Sequence, residues 1–172
     1  MRTVLVLAVL SSSASVASAG TYVSLGVGGT PSGQGALAVP ASSGDSGVPQ
    51  QRVALGQGLG RLAVEASLGR FAIGGGSAVA AGVHARVTVP LDGHLNLFAR
   101  LGMERVWLAD LAPSLGEAAD GGVGGLGLEY RVDAPIIGQG ALWAEVNQDQ
   151  LTFDGGATGG VRMWTVGLTL GL

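Results

Sequence analysis

Single acidic and basic residues stand among the apolar segments of this 172-residue sequence, and their types are the first guide to its chemistry. Glu65, Arg86, Arg100, Glu129 and Glu145 each lie on the polar face of an alternating stretch. A carboxylate in a protected site can act as a general acid or base, whereas an arginine can bind a carboxylate through a bidentate ion pair. Which of the two applies depends on how the surrounding elements bring these side chains together.

Those elements are predicted to be β-strands, because apolar and polar residues alternate with a period of two and turn-forming residues separate the runs. Eight segments alternate in this way: 21–29, 51–60, 63–71, 77–90, 94–105, 122–132, 140–149 and 160–172. Strands of about 9–13 residues suit a tilted path across a membrane, whereas globular strands average about 5–6 residues. The connections over 30–50 and 106–121 are expected to be long, and those after the second and fourth segments short.

Alternation alone also fits a soluble barrel whose apolar face points inward. The composition of the polar face decides between the two, because it consists mostly of Gly, Ala, Ser and Thr, and the chain contains arginine but no lysine. A water-exposed surface normally carries lysine and other long polar side chains, whereas a narrow lumen requires small residues and paired charges. The sequence therefore predicts an all-β fold, an eight-stranded antiparallel up-and-down transmembrane β-barrel with a filled polar lumen.

The charged residues on the polar faces are predicted to occupy one layer of this lumen, since five strands place them at similar heights above the short turns. His84 lies at a similar height, Glu104 and Arg52 lie higher, and Arg131 lies lower. We predict a lumen charge cluster that comprises Glu65, His84, Arg86, Arg100, Glu104, Glu129, Arg131 and Glu145. Because unpaired buried charge is costly, the cluster is expected to be ion-paired and to plug the barrel.

The N-terminal stretch MRTVLVLAVLSSSASVASAG has the layout of a secretory signal, with a basic residue, a short apolar run and an Ala-x-Ala site that ends at Ala19. Residues 1–19 are thus expected to be a cleaved signal peptide, and 20–172 a single barrel domain. The chain has no cysteine, so thiol chemistry and cysteine-based metal sites are excluded. Its formal net charge of −3 indicates no nucleic-acid partner.

The signal, the alternating strands, the charged lumen and the terminal sequence TVGLTLGL together resemble the small eight-stranded outer-membrane barrels, namely the OmpA transmembrane domain and the OmpX/Ail group. The resemblance implies a bacterial outer-membrane location after Sec-type export, and a barrel that is expected to be a monomer. It also implies that Thr165, Gly167, Leu170 and Leu172 form the signal read by the barrel-assembly machinery. The final residue is Leu where Phe is usual in the family, and aromatic residues make up only 5% of the chain.

Three further arginines are expected on the outward face near the extracellular rim: Arg70, Arg105 and Arg162. An outward arginine is costly in the middle of a membrane but tolerated near an interface. At the rim, such side chains are expected to bind the phosphates of lipopolysaccharide, or alternatively to extend into water without a specific lipid. Outer-membrane lipid and lipopolysaccharide are therefore the predicted partners.

Two other classes of function stay open at this point: a lipid A-modifying barrel enzyme, and a narrow pore or small-ligand carrier. An enzyme would need a nucleophile beside a base, but Thr88 is the first hydroxyl residue after His84 on its face, and His94 lies in a turn. A Ser or Asp close to His84 in space would favour the enzyme, and an open lumen would favour the pore. The string GVGGLG at 122–127 lacks the helix that a dinucleotide site requires, so no cofactor or metal is predicted.

Overall fold

The computed structural model describes residues 20–38, 49–73, 76–109, 116–134 and 138–172. Residues 1–19, which carry the expected signal peptide, lie outside the described part of the chain. Nine antiparallel strands account for most of it: β1 (Thr21–Gly28), β2 (Ser32–Gly35), β3 (Gln51–Leu59), β4 (Leu62–Ile73), β5 (Gly76–Pro90), β6 (Leu95–Ala109), β7 (Ala118–Ala134), β8 (Gly138–Phe153) and β9 (Thr158–Gly171). Among these residues no helix is long and apolar enough to cross a bilayer.

The nine strands make a closed eight-stranded barrel, because β1 and β2 together act as one barrel strand. Each strand pairs with the next along the sheet, and β1 closes the ring by pairing with β9. Thr165 of β9 pairs with Gly28 of β1, and Arg162 of β9 pairs with Ser32 of β2. The chain from β1 to β2 therefore uses one more residue than β9 between these two pairs. This extra residue is a β-bulge next to Pro31, whose ring nitrogen cannot donate to a ladder. The predicted barrel topology is confirmed.

Tight turns join the strands at the end of the barrel where β1 begins and β9 ends. Gly60 turns the chain between β3 and β4 with a φ of +70°, which a residue with a Cβ rarely adopts. In the next turn the N–H groups of Leu95 and His94 donate to Asp92 Oδ1 at 2.6 and 2.8 Å. These two bonds hold the pKa of the Asp92 carboxyl below its usual range. Short turns mark this end as periplasmic in barrels of this type.

The strands at the opposite, extracellular end are longer than the alternation predicted. β6 continues to Ala109 and β7 begins at Ala118, so half of the connection expected over 106–121 is strand. β8 runs from Gly138 to Phe153, beyond the predicted 140–149, and β2 lies within the expected loop over 30–50. The long connections were therefore overestimated, because outward residues in these extensions are polar and interrupt the apolar repeat.

Over the middle of the barrel the apolar side chains point outward and are exposed. The exposed outward set includes Leu25, Val27, Val53, Leu55, Leu68, Val83, Leu101, Met103, Leu126, Leu128, Leu142, Val146, Trp164 and Val166. Leaving so much apolar surface in water would be unfavourable, whereas hydrocarbon solvates it well. The described part of the chain is therefore a transmembrane barrel whose outer face contacts lipid.

At the extracellular end this polarity is reversed. The interior there is an apolar cluster of Leu37, Phe71, Ala78, Ala80, Val106, Ala119, Leu151, Phe153, Val161 and Met163. The outward neighbours at the same level include Asp120, Gln150, Thr152 and Arg162, all of them exposed. An apolar interior with a polar exterior is the arrangement of a water-soluble barrel. The strands thus continue beyond the apolar band as a short extension that has its own core.

Candidate functional site

The lumen below the apolar cluster holds a network of three arginines and three glutamates. At its centre, Arg52 Nη2 lies 3.0 Å from Glu65 Oε2, and Arg52 Nη1 lies 3.2 Å from Glu145 Oε2. Arg100 approaches the same two carboxylates from the other side, with Nε 3.0 Å from Glu145 Oε1 and Nη1 3.8 Å from Glu65 Oε2. The Arg100 Nε–H is not aligned for a hydrogen bond, so this contact is an ion pair. Arg100 Nη2 donates to Asn147 Oδ1 at 3.2 Å.

Arg86 extends the network toward the periplasmic end. Its Nη2 pairs with Glu129 Oε2, and its Nη1 lies 3.6 Å from Glu65 Oε1. Asn96 Nδ2 donates to Glu129 Oε1 at 3.1 Å, and the hydroxyl of Tyr22 donates to Glu65 Oε1 at 2.8 Å. Each glutamate is therefore bound by at least one arginine and by a neutral donor or a second arginine. Buried charges need such saturation to be tolerated.

Aromatic and glycine residues shape the space around the network. The guanidinium of Arg86 lies 4.0 Å from the ring centroid of Phe98, and that of Arg52 lies 5.9 Å from the ring of Trp143. Gly167 lies directly against the Trp143 ring, where an added Cβ would collide. The aromatic contacts hold the two guanidinium groups in fixed positions, and the ion pairs with glutamate neutralise their charge.

A second group of acids lies above the network, outside the ion-pair distance of its arginines. Glu104 and Asp149 line one small cavity of about 20 Å³, together with His84, Arg52 and Arg100. Asp149 is fully buried, and neither of its carboxylate oxygens has a hydrogen-bond partner within the described residues. Among these residues no ion pair reaches Glu104 or Asp149 either. Burial of two carboxylates without a direct ion pair is unfavourable, so these acids are the least well compensated polar groups of the lumen.

His84 meets the geometric condition that would favour an enzyme, and its side chain is enclosed in the lumen. Ser67 Oγ lies 3.5 Å from His84 Nδ1, at the limit of a hydrogen bond. The histidine is 2% exposed, and the adjoining cavity of about 20 Å³ has room for one water molecule. A lipid bound to the outer face cannot reach a side chain enclosed in this way.

The predicted site residues are thus distributed over several levels of the lumen. Glu65, Arg86, Arg100, Glu129 and Glu145 lie together in the network, whereas His84 and Glu104 lie above it. Arg131 lies apart from them, exposed at the periplasmic mouth. Its separation follows from its position near the end of β7, where water can solvate a charge.

Sequence reasoning left out several lumen residues that the structure brings to the network. Arg52 was placed too high to contribute, yet it contacts two of the three glutamates. Asp149 was not identified because the seventh segment was ended there, and Tyr22, Asn96 and Asn147 were read as ordinary polar-face residues. The signal for all five residues was their inward parity, although the outward neighbours of Asp149 are the polar Gln148 and Gln150.

The three rim arginines are outward and exposed, as their parity indicated. Arg105 Nη1 lies 3.2 Å from Asp120 Oδ2 on the neighbouring strand, in a pair whose side chains are 48% and 62% exposed. Arg70 faces Gln51 across β3, and Arg162 faces Ser32 across β2. Within the described residues neither Arg70 nor Arg162 forms an ion pair.

The four residues of the predicted assembly signal fall into two pairs. Thr165 is fully buried and its hydroxyl donates to Gln50 Oε1 at 2.7 Å, while Gly167 accommodates Trp143. Leu170 and Leu172 lie on the outward face, and Leu172 is 78% exposed. The first pair therefore has a packing role in the folded barrel, whereas Leu172 contributes little to it.

No protein-family model and no curated protein sequence matches the chain. Among solved structures, the fold is similar to the crystal structure of Neisserial surface protein A, with a TM-score of 0.57, 15% identity, and coverage of 88% of this chain and 97% of that one. It is also similar to the N-terminal β-barrel domain of Pseudomonas aeruginosa OprF, with a TM-score of 0.50, 12% identity, and coverage of 88% and 97%. A de novo designed transmembrane β-barrel matches with a TM-score of 0.56, 14% identity, and coverage of 92% and 100%. The likeness to small outer-membrane barrels predicted from the sequence is confirmed at the level of the fold.

Proposed function

We propose that this protein is a non-enzymatic outer-membrane barrel with a closed lumen and a structural or surface-interaction role. The observation that supports this most directly is the arginine–glutamate network across the lumen, in which each glutamate is ion-paired with at least one arginine. The two cavities beside the network measure only about 20 and 10 Å³. The apolar cluster above it offers no polar path for an ion. These features support a lumen that carries no solute and a barrel without a catalytic role.

Conductance and lipid chemistry together test this proposal. The purified barrel is inserted into a planar bilayer, with a larger porin as positive control, and single-channel currents are recorded. We expect no conductance steps above the bare bilayer, and stable steps would contradict the closed lumen. In parallel, lipid A from cells that express the protein is analysed by mass spectrometry. A change in acylation that disappears in His84→Ala would show that the barrel is an enzyme.

We further propose that the protein reaches the outer membrane by Sec-type export with cleavage after Ala19, as its N-terminal sequence suggests. The intact mass of the protein extracted from outer membranes measures this directly. We expect a chain that begins at Gly20. Recovery of the uncleaved chain in the outer membrane would contradict the assignment of residues 1–19 as a signal peptide.

Lipopolysaccharide is the partner that we propose for the extracellular rim. The support is the outward exposure of Arg70, Arg105 and Arg162 beside the apolar band, where lipid phosphates lie. Asp120 offsets part of the charge of Arg105, so Arg70 and Arg162 are expected to contribute most.

The test replaces all three arginines with Gln and measures lipopolysaccharide that copurifies with the folded barrel. A matched control replaces Arg61 and Arg131, two exposed arginines at the opposite end, with Gln. We expect reduced copurification only for the triple variant. Equal lipopolysaccharide in both variants and the wild type would show that the rim arginines simply extend into water.

A further inference from the structure

The periplasmic mouth of the barrel contains an open depression of about 530 Å³. It exists because the lumen wall there is built from residues with little or no side chain, among them Gly58, Gly140 and Gly171. The lumen is filled by side chains only from the level of Arg86 and Glu129 upward. The depression therefore has a defined floor, which is the lower edge of the ion-pair network, and it opens along the barrel axis.

The ionisable side chains that line this depression are mostly basic. Arg61, Arg131 and His94 stand exposed around its edge, and Arg86 and Glu129 form its floor. Glu129 is already bound by Arg86 and by Asn96. Within the described part of the chain no carboxylate forms an ion pair with Arg61 or Arg131. The mouth thus carries positive charge that the lumen network does not neutralise.

A further hydrogen-bond donor faces the same space. Thr88 lines the wall and supplies a hydroxyl, whereas the hydroxyl of Thr169 donates to Ser24 Oγ at 3.2 Å and that of Thr21 donates to the exposed Gln57. Arg86 is 6% exposed, and its Nε has no partner among the described groups. Guanidinium groups combined with hydroxyl donors form the usual binding chemistry for phosphate, sulfate and related oxyanions.

From this geometry we propose that the periplasmic mouth is a binding site for a small soluble oxyanion of the phosphate class. The lining side chains face the barrel axis, whereas the headgroups of the periplasmic leaflet surround the outer wall. A dissolved anion can enter along the axis, but a lipid would have to leave its leaflet to do so. The site is independent of the rim arginines, which lie at the other end of the barrel.

The experiment titrates inorganic phosphate into the barrel folded in a maltoside detergent, which carries no phosphate of its own. Arginine Nε–Hε signals are followed by NMR, with sodium chloride at equal ionic strength as the reference. We compare the wild type with an Arg61→Gln/Arg131→Gln variant. Because all the substituted residues are exposed, Arg70→Gln/Arg162→Gln is a control with the same charge change.

We expect saturable shifts with phosphate, an affinity at least about tenfold weaker in the Arg61/Arg131 variant, and no change in the control. A tenfold loss corresponds to about 1.4 kcal/mol, less than two charge-assisted hydrogen bonds usually contribute. Non-saturating shifts, or shifts that chloride reproduces, would overturn the proposal, as would equal losses in both variants. In nanodiscs, phosphatidylglycerol that moves the same signals and blocks phosphate would show that a lipid headgroup occupies the site instead of a soluble anion.

Discussion

Replacing Arg100 with Ala is the most direct test of whether the lumen network holds the barrel together. Arg100 is 3% exposed and lies between Glu145, at 3.0 Å, and Glu65, at 3.8 Å, while also donating to Asn147 at 3.2 Å. Its loss leaves three buried glutamates with two arginines. Removing one partner of a buried ion pair typically costs about 3–5 kcal/mol. Because Arg52 still contacts both carboxylates, we expect a loss near the lower value, about 3 kcal/mol.

A double variant separates the charge effect from loss of packing. Replacing Arg100 and Glu145 with Leu removes one charge of each sign, so the lumen is again balanced between arginine and glutamate. Apolar replacement of a complete buried pair is often neutral or stabilising. We therefore expect the double variant to recover most of the stability lost in Arg100→Ala.

The assay is urea unfolding of the barrel in detergent, followed by tryptophan fluorescence and by heat-modifiable gel migration. Arg162→Ala is the control, since an exposed arginine typically contributes about 0–1 kcal/mol. A loss below about 1 kcal/mol for Arg100→Ala would refute the reasoning, because the buried carboxylates would then not need this partner. A double variant no more stable than the single one would refute the charge-balance explanation.

Three further substitutions test other parts of the structure. Asp149→Asn replaces a buried acid whose oxygens have no hydrogen-bond partner among the described residues. We therefore expect the free energy of unfolding to stay unchanged or to rise by about 1–3 kcal/mol, and a clear loss would contradict this. Leu172→Ser should lower the amount of protein in the outer membrane and cause it to accumulate in the periplasm. Leu142→Ser, whose residue is also exposed and outward, should not have this effect. Equal amounts of the two variants in the outer membrane would show that Leu172 only contacts lipid. Met163→Ala should lower the free energy of unfolding by about 2–5 kcal/mol, because it leaves a cavity in the apolar cluster. The outward Met103→Ala should change it by about 0.5 kcal/mol or less. Equal effects would argue against a packed core at the extracellular end.

The fold could be predicted because two simple rules determine where each side chain lies. Parity along a strand fixes whether a residue points inward, and the distance from the turn fixes its approximate height. These rules brought Arg86, Arg100 and Glu129 to one region of the lumen, where the structure places them. They work best in the middle of the membrane, because outward residues there must be apolar and leave a clear repeat.

The same rules gave the height of the Arg52 backbone correctly but not the position of its guanidinium, because they ignore the length of the side chain. Arg52 pairs with Gly69 across β3 and β4, four residues above Glu65 and thus about 13 Å higher along the strand. Its guanidinium nevertheless reaches Glu65 and Glu145, since a long arginine can extend down the lumen past small residues. Asp149 shows the opposite error, because no sequence rule signals that a buried acid will lack a cation.

The strand ends could not be predicted because the meaning of alternation changes along the barrel. In β9 the inward residues Val161 and Met163 are apolar while Arg162 points outward, but four residues later Thr165 is the inward residue and Val166 the outward one. In the sequence the alternation continues, but the apolar residues change from the inward to the outward positions. This change marks the level at which the medium outside the barrel changes from hydrocarbon to water. Outward residues must be apolar where they contact hydrocarbon and polar where they contact water. The rim arginines lie at this level, where both conditions meet, and this position is the reason that we propose a phosphate-bearing lipid as their neighbour.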